Sequence, residues 1–228
     1  MRIRWYGQSA FTLTGDGHTV TIDPFGVPQP GLPVRFAYPA IAEHPADLLL
    51  ITHEHFDHNG AEVVAGSPEV VRSTAGVFPT KLGDVTAIAS EHDPSAGTQR
   101  GPNTIFVFEL DGLRVCHMGD FGQSALRPEQ IAAIGEIELL FVPVGGGATI
   151  DGNAAAAIVS QLRPIWAVPM HYRTEAVDFL EGPEPFVDSF PAAAVRQLDG
   201  SSFEVGGGGE RNGRPSVLMP AAPAPLLV

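Results

Sequence analysis

The feature of this sequence that most constrains its fold is a group of metal-binding side chains placed directly after an apolar run. Leu48–Ile51 is a run of four apolar residues, which is typical of a strand buried on both faces. It leads through Thr52 into His53–His58, a segment of six residues with three histidines and one aspartate. Burying these groups unpaired would be costly, and imidazole and carboxylate are ligands of zinc and of neighbouring divalent ions. The segment therefore predicts a metal site at the end of a buried strand.

The spacing of these side chains indicates two metal ions rather than one. His53 and His55 are two residues apart, so in an extended segment both project to the same side and can reach one ion. Asp57 and His58 lie beyond the strand, where the chain can turn and direct them at a second ion. These four side chains do not complete two sites, so the hypothesis requires further ligands later in the chain.

Three more candidate ligands follow the ends of other predicted strands. Each strand and the candidate after it are, in chain order, Val85–Ala89 and His92, Leu113–Cys116 and Asp120, and Ile165–Pro169 and His171. Open α/β sheets bind their ligands at the carboxyl ends of the strands. We therefore expect these candidates and the segment His53–His58 to converge on one place.

Short strands and a few helices make up the rest of the pattern. The other predicted strands are Arg2–Trp5, Ala10–Leu13, His18–Ile22, Val70–Arg72, Thr104–Leu110 and Leu139–Val144. The predicted helices are Asn59–Ala65, Pro128–Ile134 and Asn153–Leu162, the last with Asp151 as a residue able to cap it. Strands first, and then strands mixed with helices, indicate two sheets covered by helices.

The length of 228 residues suits one domain. The segment 25–39 contains four prolines, and such a long loop is typical either of a functional flap or of a rigid surface excursion. Four glycines at 206–209 precede an Ala/Pro-rich end. We predict one folded domain over 1–205 and a loosely attached tail over 206–228.

Charge and composition exclude several classes of function. The chain has 13 cationic and 26 anionic side chains, a net charge of −13, which opposes binding to nucleic acid. The single cysteine, Cys116, excludes an intrachain disulfide, and we do not expect Met1–Gly7 to open a signal peptide. No apolar stretch approaches the ~20 residues that span a bilayer. We expect a cytoplasmic protein without a membrane partner.

The order and approximate spacing of the candidate ligands resemble the metallo-β-lactamase superfamily, and the resemblance extends from Trp5 to about Tyr172. The segments that carry the resemblance are Trp5–Phe11, Ile22–Phe25, His53–His58, Val115–Asp120 and Pro169–Tyr172. They are most similar to a branch of small, insertion-free metal-dependent hydrolases related to ascorbate-6-phosphate lactonase. That branch usually has His where this chain has Gln8, and Ser where it has Asp93.

The resemblance implies an α/β (α+β) fold, a four-layer αββα sandwich with the site along one edge. The first of two divalent ions would be held by His53, His55 and His92. The second would be held by Asp57, His58 and His171, and Asp120 would bridge the two. A bridging hydroxide would attack the substrate, with Asp57 and Asp120 as the catalytic residues. Zinc is the preferred ion, and Mn, Fe or Ni are left open.

These expectations favour a hydrolase of a small ester, lactone or phosphoester. One alternative is a nuclease or phosphodiesterase of the same fold, which the net charge of −13 opposes. A second is a non-catalytic or redox metal-binding protein, and redox relatives carry an acidic residue where this chain has His55. The expected partner is a small molecule, and Arg173 would contact it if it is anionic. Self-association through the 25–39 loop or the tail is left open.

Three residues near the predicted site have other candidate roles. Asp23 follows a strand and is either a hydrogen-bond partner for a ligand imidazole or a turn residue. For His117, a buried structural role is favoured over a proton shuttle. Cys116 is expected to pack in the core.

Overall fold

The computed structural model describes residues 1–27, 34–147, 149–206 and 215–226, which form sixteen strands and three α-helices. The strands are β1 (Arg2–Gly7), β2 (Ala10–Gly15), β3 (His18–Ile22), β4 (His44–Pro45), β5 (Leu48–Ile51), β6 (Val64–Ala65), β7 (Glu69–Arg72), β8 (Gly76–Thr80), β9 (Gly83–Glu91), β10 (Pro102–Leu110), β11 (Leu113–His117), β12 (Leu139–Pro143), β13 (Trp166–Met170), β14 (Val195–Gln197), β15 (Ser202–Glu204) and β16 (Ser216–Met219). The helices are α1 (Pro128–Ile134), α2 (Gly152–Leu162) and α3 (Glu184–Val187), with 3₁₀ turns at Ala61–Val63 and Ala192–Ala194.

Two mixed sheets form the body of the fold. The first has the strand order β15-β1-β2-β3-β5-β7, and the second has the order β14-β16-β13-β12-β11-β10-β9-β8. In the first sheet β1, β2 and β3 are antiparallel, whereas β3, β5 and β7 are parallel. In the second, β10 is antiparallel to both β9 and β11, and β11, β12 and β13 are parallel. The carboxyl ends of β9, β11 and β13 therefore lie at one edge of that sheet.

The main core lies between the two sheets. Phe11 on β2 and Phe141 on β12 are fully buried, and their ring centroids are 4.4 Å apart. Leu48–Ile51 is buried along its whole length, as its continuous apolar run predicts. Burying a side chain of this kind contributes about 1.5–3 kcal/mol. The structure is thus the α/β sandwich that the sequence predicts.

The helices cover the second sheet, where α1 contacts β9, α2 contacts β12 and α3 packs on α2. The predicted helix Pro128–Ile134 is confirmed residue for residue. The predicted cap of α2 is also confirmed, because the Asp151 carboxylate accepts a hydrogen bond from the Ala154 N–H at 2.8 Å. No helix in the described part of the chain is long and apolar enough to cross a membrane.

The predicted helix over Asn59–Ala65 is wrong. This segment forms only the 3₁₀ turn Ala61–Val63 and then enters β6. The Gly60 N–H donates to the Pro24 carbonyl at 2.7 Å, so the backbone runs against the chain after β3 instead of coiling. The apolar side chain of Val63 is buried by packing in a second cluster, so its apolar character does not come from a helix face.

A second apolar cluster lies outside the main core and joins the Pro-rich segment to the chain after β13. Its larger members include Phe25, Tyr38, Val63 and Leu180, all buried. Of the loop predicted over 25–39, residues 28–33 lie outside the described residues. The described residues on either side of 28–33 contribute buried aromatic rings to this cluster.

The prediction of a loosely attached tail over 206–228 is wrong for Ser216–Met219. These residues form β16, which lies between β13 and β14 in the second sheet. Val217, Leu218 and Met219 are all buried in the main core. Their apolar run is short and lies between Gly-rich and Pro-rich segments, so the local composition predicts a tail rather than a strand. Residues 207–214 and 227–228 of the same prediction lie outside the described residues.

The position of β16 in the second sheet predicts that two leucines in the last twelve described residues differ in their contribution to the free energy of unfolding. Leu218 is buried and Leu226 is 55% exposed. We expect Leu218→Ala to lower the free energy of unfolding by about 2–5 kcal/mol, because it leaves a cavity in the core. Leu226→Ala should change it by less than about 0.5 kcal/mol. Urea unfolding followed by circular dichroism measures the free energy of unfolding of both variants. Equally small changes would contradict the role of β16 in the core and support a loosely attached tail.

Candidate metal centre

The seven predicted ligands converge at the carboxyl ends of four strands. The segment His53–His58 follows β5, His92 follows β9, Asp120 follows β11 and His171 follows β13. All of them are buried except His55, which is half-buried. The structure therefore brings the seven predicted side chains together at one place. Their donor atoms fall into groups that could hold metal ions.

The first group consists of His53, His55 and His92. Their ring nitrogens lie within 4.8 Å of one another. His53 Nε2 is 3.0 Å from His55 Nδ1, so the two rings present different nitrogens to the same point. Three imidazoles at this spacing could supply three of the four ligands of a tetrahedral metal site.

The second group consists of Asp57, His58 and His171, again with donor atoms within 4.8 Å of one another. Asp57 Oδ2 is 3.7 Å from His58 Nε2. Asp57 lies beyond the extended part of the segment. The chain turns between His55 and His58, and the His58 N–H donates to the His55 carbonyl at 3.0 Å within this turn. This turn brings His58 to Asp57, and a donor atom of His58 also lies within 4.8 Å of donor atoms of His53 and Asp120, which form a third possible group.

Asp120 lies between the two groups. Its Oδ2 atom is 3.2 Å from His92 Nε2 and 4.0 Å from His53 Nε2, which belong to the first group. The same oxygen is 3.3 Å from His58 Nε2 and 3.1 Å from His171 Nε2, which belong to the second. One carboxylate oxygen thus faces donors from both groups.

The donor set fits divalent metal ions. His58 Nε2 is fully buried and has no partner in hydrogen-bond geometry among the described residues, although Asp120 is near. A buried imidazole nitrogen without a hydrogen bond is costly unless something outside the protein binds it. Imidazole and carboxylate donors together are typical ligands of zinc.

The titration of the centre without metal also suits ion binding. Burial and the neighbouring His58 lower the pKa of His53 below the ordinary histidine value. Burial acts on His58 in the same direction, but the charges of Asp120, Asp57 and Asp23 outweigh it and raise the pKa of His58 well above that value. Burial opposes ionisation of Asp120, yet the charges of His171 and His58 hold its pKa well below the usual range. A metal ion would therefore replace a proton at His58.

Asp23 holds His58 from behind, which answers the question left open by the sequence. Its Oδ2 accepts hydrogen bonds from His58 Nδ1 at 2.9 Å and from the Thr52 hydroxyl at 2.7 Å, and its Oδ1 accepts from the Thr52 N–H at 2.7 Å. With Nδ1 donating to Asp23, the lone pair of His58 lies on Nε2, which faces the centre. Asp23 is thus the partner of a ligand imidazole.

Two polar residues that the sequence analysis did not single out hold Asp120. The Ser9 hydroxyl donates to Asp120 Oδ1 at 3.1 Å, which leaves Oδ2 for the centre. The Asn103 side-chain oxygen accepts from the Asp120 N–H at 3.0 Å. Gly119 has a φ of +56°, and a Cβ there would lie 2.8 Å from the Thr52 side chain. The Gly119-Asp120 pair therefore requires glycine for both conformation and space.

Three residues of the centre adopt left-handed backbone conformations that are uncommon outside glycine. Gln8, Asp23 and His171 have φ values of 46°, 45° and 51°. Such conformations cost free energy and concentrate at functional sites. The Gln8 carbonyl connects two of the strands involved, because it accepts from the Trp5 indole N–H at 2.9 Å and from the His171 N–H at 3.3 Å.

Glu54, which lies between His53 and His55, is held away from the centre. Glu54 is exposed and binds Arg72, whose Nε donates at 2.9 Å, and the Ser73 hydroxyl donates at 2.6 Å. The hydrogen bond from Arg72 lowers the pKa of Glu54 to about 2. Glu54 is therefore an ionised surface residue rather than a ligand.

The carboxylate of Asp93 organises the loop after His92. Its oxygens accept backbone hydrogen bonds from Ser95, Gly97, Gln99 and Arg100. The loop closes where the His92 N–H donates to the Gly101 carbonyl at 3.1 Å. These hydrogen bonds fix the point at which His92 leaves β9.

His117 and Cys116 have the structural roles that the sequence analysis favoured. Both are fully buried. His117 Nε2 donates to the Ser9 carbonyl at 3.0 Å and its Nδ1 accepts from the Gly119 N–H at 3.2 Å, so both ring nitrogens are engaged. Burial raises the pKa of the Cys116 thiol to about 12.

Arg173 does not lie with the candidate ligands. It lines a surface depression of about 520 Å³ together with Tyr172, Glu184 and residues 222–225. None of the seven candidate ligands lines this depression. Arg173 therefore has no demonstrated contact with the metal centre.

Comparison with known proteins gives a consistent match over most of the chain. The family model described as the beta-lactamase superfamily domain matches residues 2–171. A UPF0173 metal-dependent hydrolase of Thermococcus onnurineus is 32% identical over 200 residues, which cover 76% of this chain and 85% of that protein. A UPF0173 protein of Pyrococcus abyssi is 33% identical over 208 residues, which cover 80% and 88%. A solved structure from Thermotoga maritima, a candidate Zn-dependent hydrolase of the metallo-beta-lactamase superfamily, is 29% identical with a TM-score of 0.74 and covers 96% of this chain and 97% of that one.

The contacts of Asp23 predict that an amide cannot replace its carboxylate. In Asp23→Asn, one of the two acceptor oxygens becomes a donor that faces the donors of Thr52 and His58. We expect the free energy of unfolding of the metal-free protein to fall by about 1–3 kcal/mol. Urea unfolding in the presence of a chelator measures it. Asp178→Asn, at an exposed position, is the control and should change it by less than about 0.5 kcal/mol. Equal effects of both substitutions would contradict the role of Asp23.

Proposed function

This chain belongs to the family of the beta-lactamase superfamily domain, and from that membership we propose that its centre binds two divalent metal ions and hydrolyses a small ester, lactone or phosphoester. The coarser activity, metal-dependent hydrolysis, is the one its relatives are named for. The number of ions, their identity as zinc and the substrate class are the parts that we propose.

The observation that carries the proposal is the position of Asp120 Oδ2 between two groups of three donors. Its distances of 3.1–4.0 Å to ring nitrogens of both groups suit a carboxylate shared by two ions. Each ion would then have three ligands of its own and one in common. Such a set leaves room for a water between the ions, as a catalytic site requires.

The chemistry follows from this arrangement. When bound, a pair of divalent ions lowers the pKa of a bound water to about 7 and stabilises the attacking and leaving oxygens of a displacement. Asp57 is held on one side by the Gln8 amide at 3.2 Å, so its carboxylate keeps one direction and can orient the attacking water. Two of the surrounding imidazoles are held by buried hydrogen bonds, His53 by the Thr52 hydroxyl and His58 by Asp23, so these two rings need little reorganisation during the reaction.

The rim of the centre supports an apolar group on the substrate. Phe56 lies between His55 and Asp57 and is 43% exposed. Its ring packs edge-on against Phe36 at 5.5 Å, and Phe36 packs in turn on Phe25 at 5.1 Å. An exposed ring with a fixed orientation beside the ligands provides a contact for an aliphatic or aromatic substituent. We therefore place a carboxylic ester or lactone with such a substituent ahead of a phosphodiester. The net charge of −13 also opposes a nucleic-acid substrate.

Chelation and one substitution test the proposed reaction. Purified protein is assayed with p-nitrophenyl acetate, γ-butyrolactone and bis(p-nitrophenyl) phosphate before and after metal removal. We expect hydrolysis of a carboxylic ester or lactone that is lost on chelation and restored at two zinc ions per chain. Asp57→Ala should lower kcat by about 10²–10⁴-fold, because the water loses its orienting group.

The control is Asp178→Ala, at an exposed position outside the centre, which should keep full activity. A hydrolysis that survives chelation, or one that Asp57→Ala leaves intact, would contradict the proposal. Preference for the phosphodiester would favour the phosphodiesterase alternative instead.

The aromatic rim predicts a dependence on acyl chain length. We expect Phe56→Ala to raise KM for p-nitrophenyl hexanoate by about two- to ten-fold, since an aromatic contact contributes about 0.5–1.5 kcal/mol. KM for the acetate should change little, because its acyl group is too short to reach the ring. Val77→Ala removes a 61% exposed side chain on β8 and serves as control. Equal KM changes for both esters would remove Phe56 from the substrate contact.

A further inference from the structure

Gln8 is a buried amide at the centre to which the proposed reaction assigns no role beyond its contact with Asp57. It lies in the turn between β1 and β2, is completely buried and has a φ of 46°. Its carbonyl accepts hydrogen bonds from Trp5 and His171, so the backbone at this point is held by side-chain and main-chain donors. The side chain therefore projects from a fixed position.

The two ends of the Gln8 amide have different environments. Nε2 donates to Asp57 Oδ2 at 3.2 Å. Oε1 is buried and has no hydrogen-bond partner among the described residues. The orientation follows from the chemistry, because a carboxylate oxygen accepts and must face the amide nitrogen. A buried acceptor left unpaired costs about 1–3 kcal/mol. Its retention beside a ligand carboxylate indicates a partner that is not part of the protein.

We propose that Gln8 is the positioning residue of the second group, and the inference rests on the proposed two-ion function. Its N–H fixes the direction of the Asp57 carboxylate. Its Oε1 accepts a hydrogen bond from the attacking water and so directs the lone pair of that water at the substrate. An amide carries a donor and an acceptor at once and does not ionise, so one side chain holds both the carboxylate and the water.

Because of its position, Gln8 should affect the affinity for one metal ion and not for the other. Among the candidate ligands its side chain contacts Asp57, which belongs to the second group and not to the first. Groups that hold metal ligands in place typically contribute 10–100-fold to metal affinity. Loss of the amide should therefore weaken the second ion and leave the ion at His53, His55 and His92 unaffected. A general loss of stability would weaken both.

The test is a calorimetric titration of the metal-free protein with zinc. In the wild type we expect two binding events. In Gln8→Met, which has similar length but no amide, the affinity for the ion of the second group should fall about 10–100-fold while the affinity for the other ion is unchanged. With p-nitrophenyl acetate as probe, kcat should fall at least ten-fold and KM should stay within two-fold. Gln8→Asn is the second variant, because asparagine tolerates a positive φ and keeps the fold, but its shorter amide cannot reach Asp57.

The matched control is Gln130→Met, which removes another buried amide. Gln130 lies on α1, and its side chain binds Gln123 and the backbone of Arg127 and Ala89 rather than any candidate ligand. It should lose stability and keep both zinc affinities. If the wild type shows two zinc-binding events and neither Gln8 variant changes either affinity, the role of Gln8 is overturned and the two-ion function stands. Fewer than two events in the wild type would overturn the two-ion function, and this inference with it.

Discussion

The negative charge of Asp120, set among four imidazoles, is the interaction on which the rest of the centre depends. Its Oδ2 lies within 4.0 Å of ring nitrogens that reach it from three different strand ends. A carboxylate in a buried position is costly unless positive charge or hydrogen bonds compensate for it. Without metal, the neighbouring imidazoles of His171 and His58 favour the ionised carboxylate and keep the pKa of Asp120 low. Divalent ions would provide the compensating positive charge more fully, which explains why so many buried polar groups are compatible with a stable fold.

The two sheets supply the rigidity that this centre requires. Parallel strands bring their carboxyl ends to one edge, and the contact between Phe11 and Phe141 fixes the two sheets face to face. Ser9, in the turn between β1 and β2 of the first sheet, donates to Asp120, which follows β11 of the second sheet and lies 111 residues later in the chain. The ligand positions therefore depend on the relative placement of the sheets. A change in the core can alter the metal centre without contacting it.

The candidate ligands could be selected from the sequence because their chemistry is visible in residue type and spacing. The run Leu48–Ile51 and the segment after it identify both a buried strand and its ligands. Ser9 could not be assigned in this way, because its partner lies on another sheet and a serine carries no local signal of that contact. The strand β16 was missed because four residues have too little periodicity to distinguish a paired strand from a tail. The predicted helix over Asn59–Ala65 failed because the contact of Gly60 with the chain after β3, a tertiary contact, overrides local propensity.

Anomalous diffraction from crystals of the zinc-loaded protein shows whether Asp120 joins two metal ions. We expect two anomalous peaks at the zinc edge, about 3.5–4 Å apart, with Asp120 Oδ2 between them. The ion at one peak should be bound by His53, His55 and His92, and the ion at the other by Asp57, His58 and His171. A single peak at full zinc loading, or two peaks of which Asp120 touches only one, would contradict it.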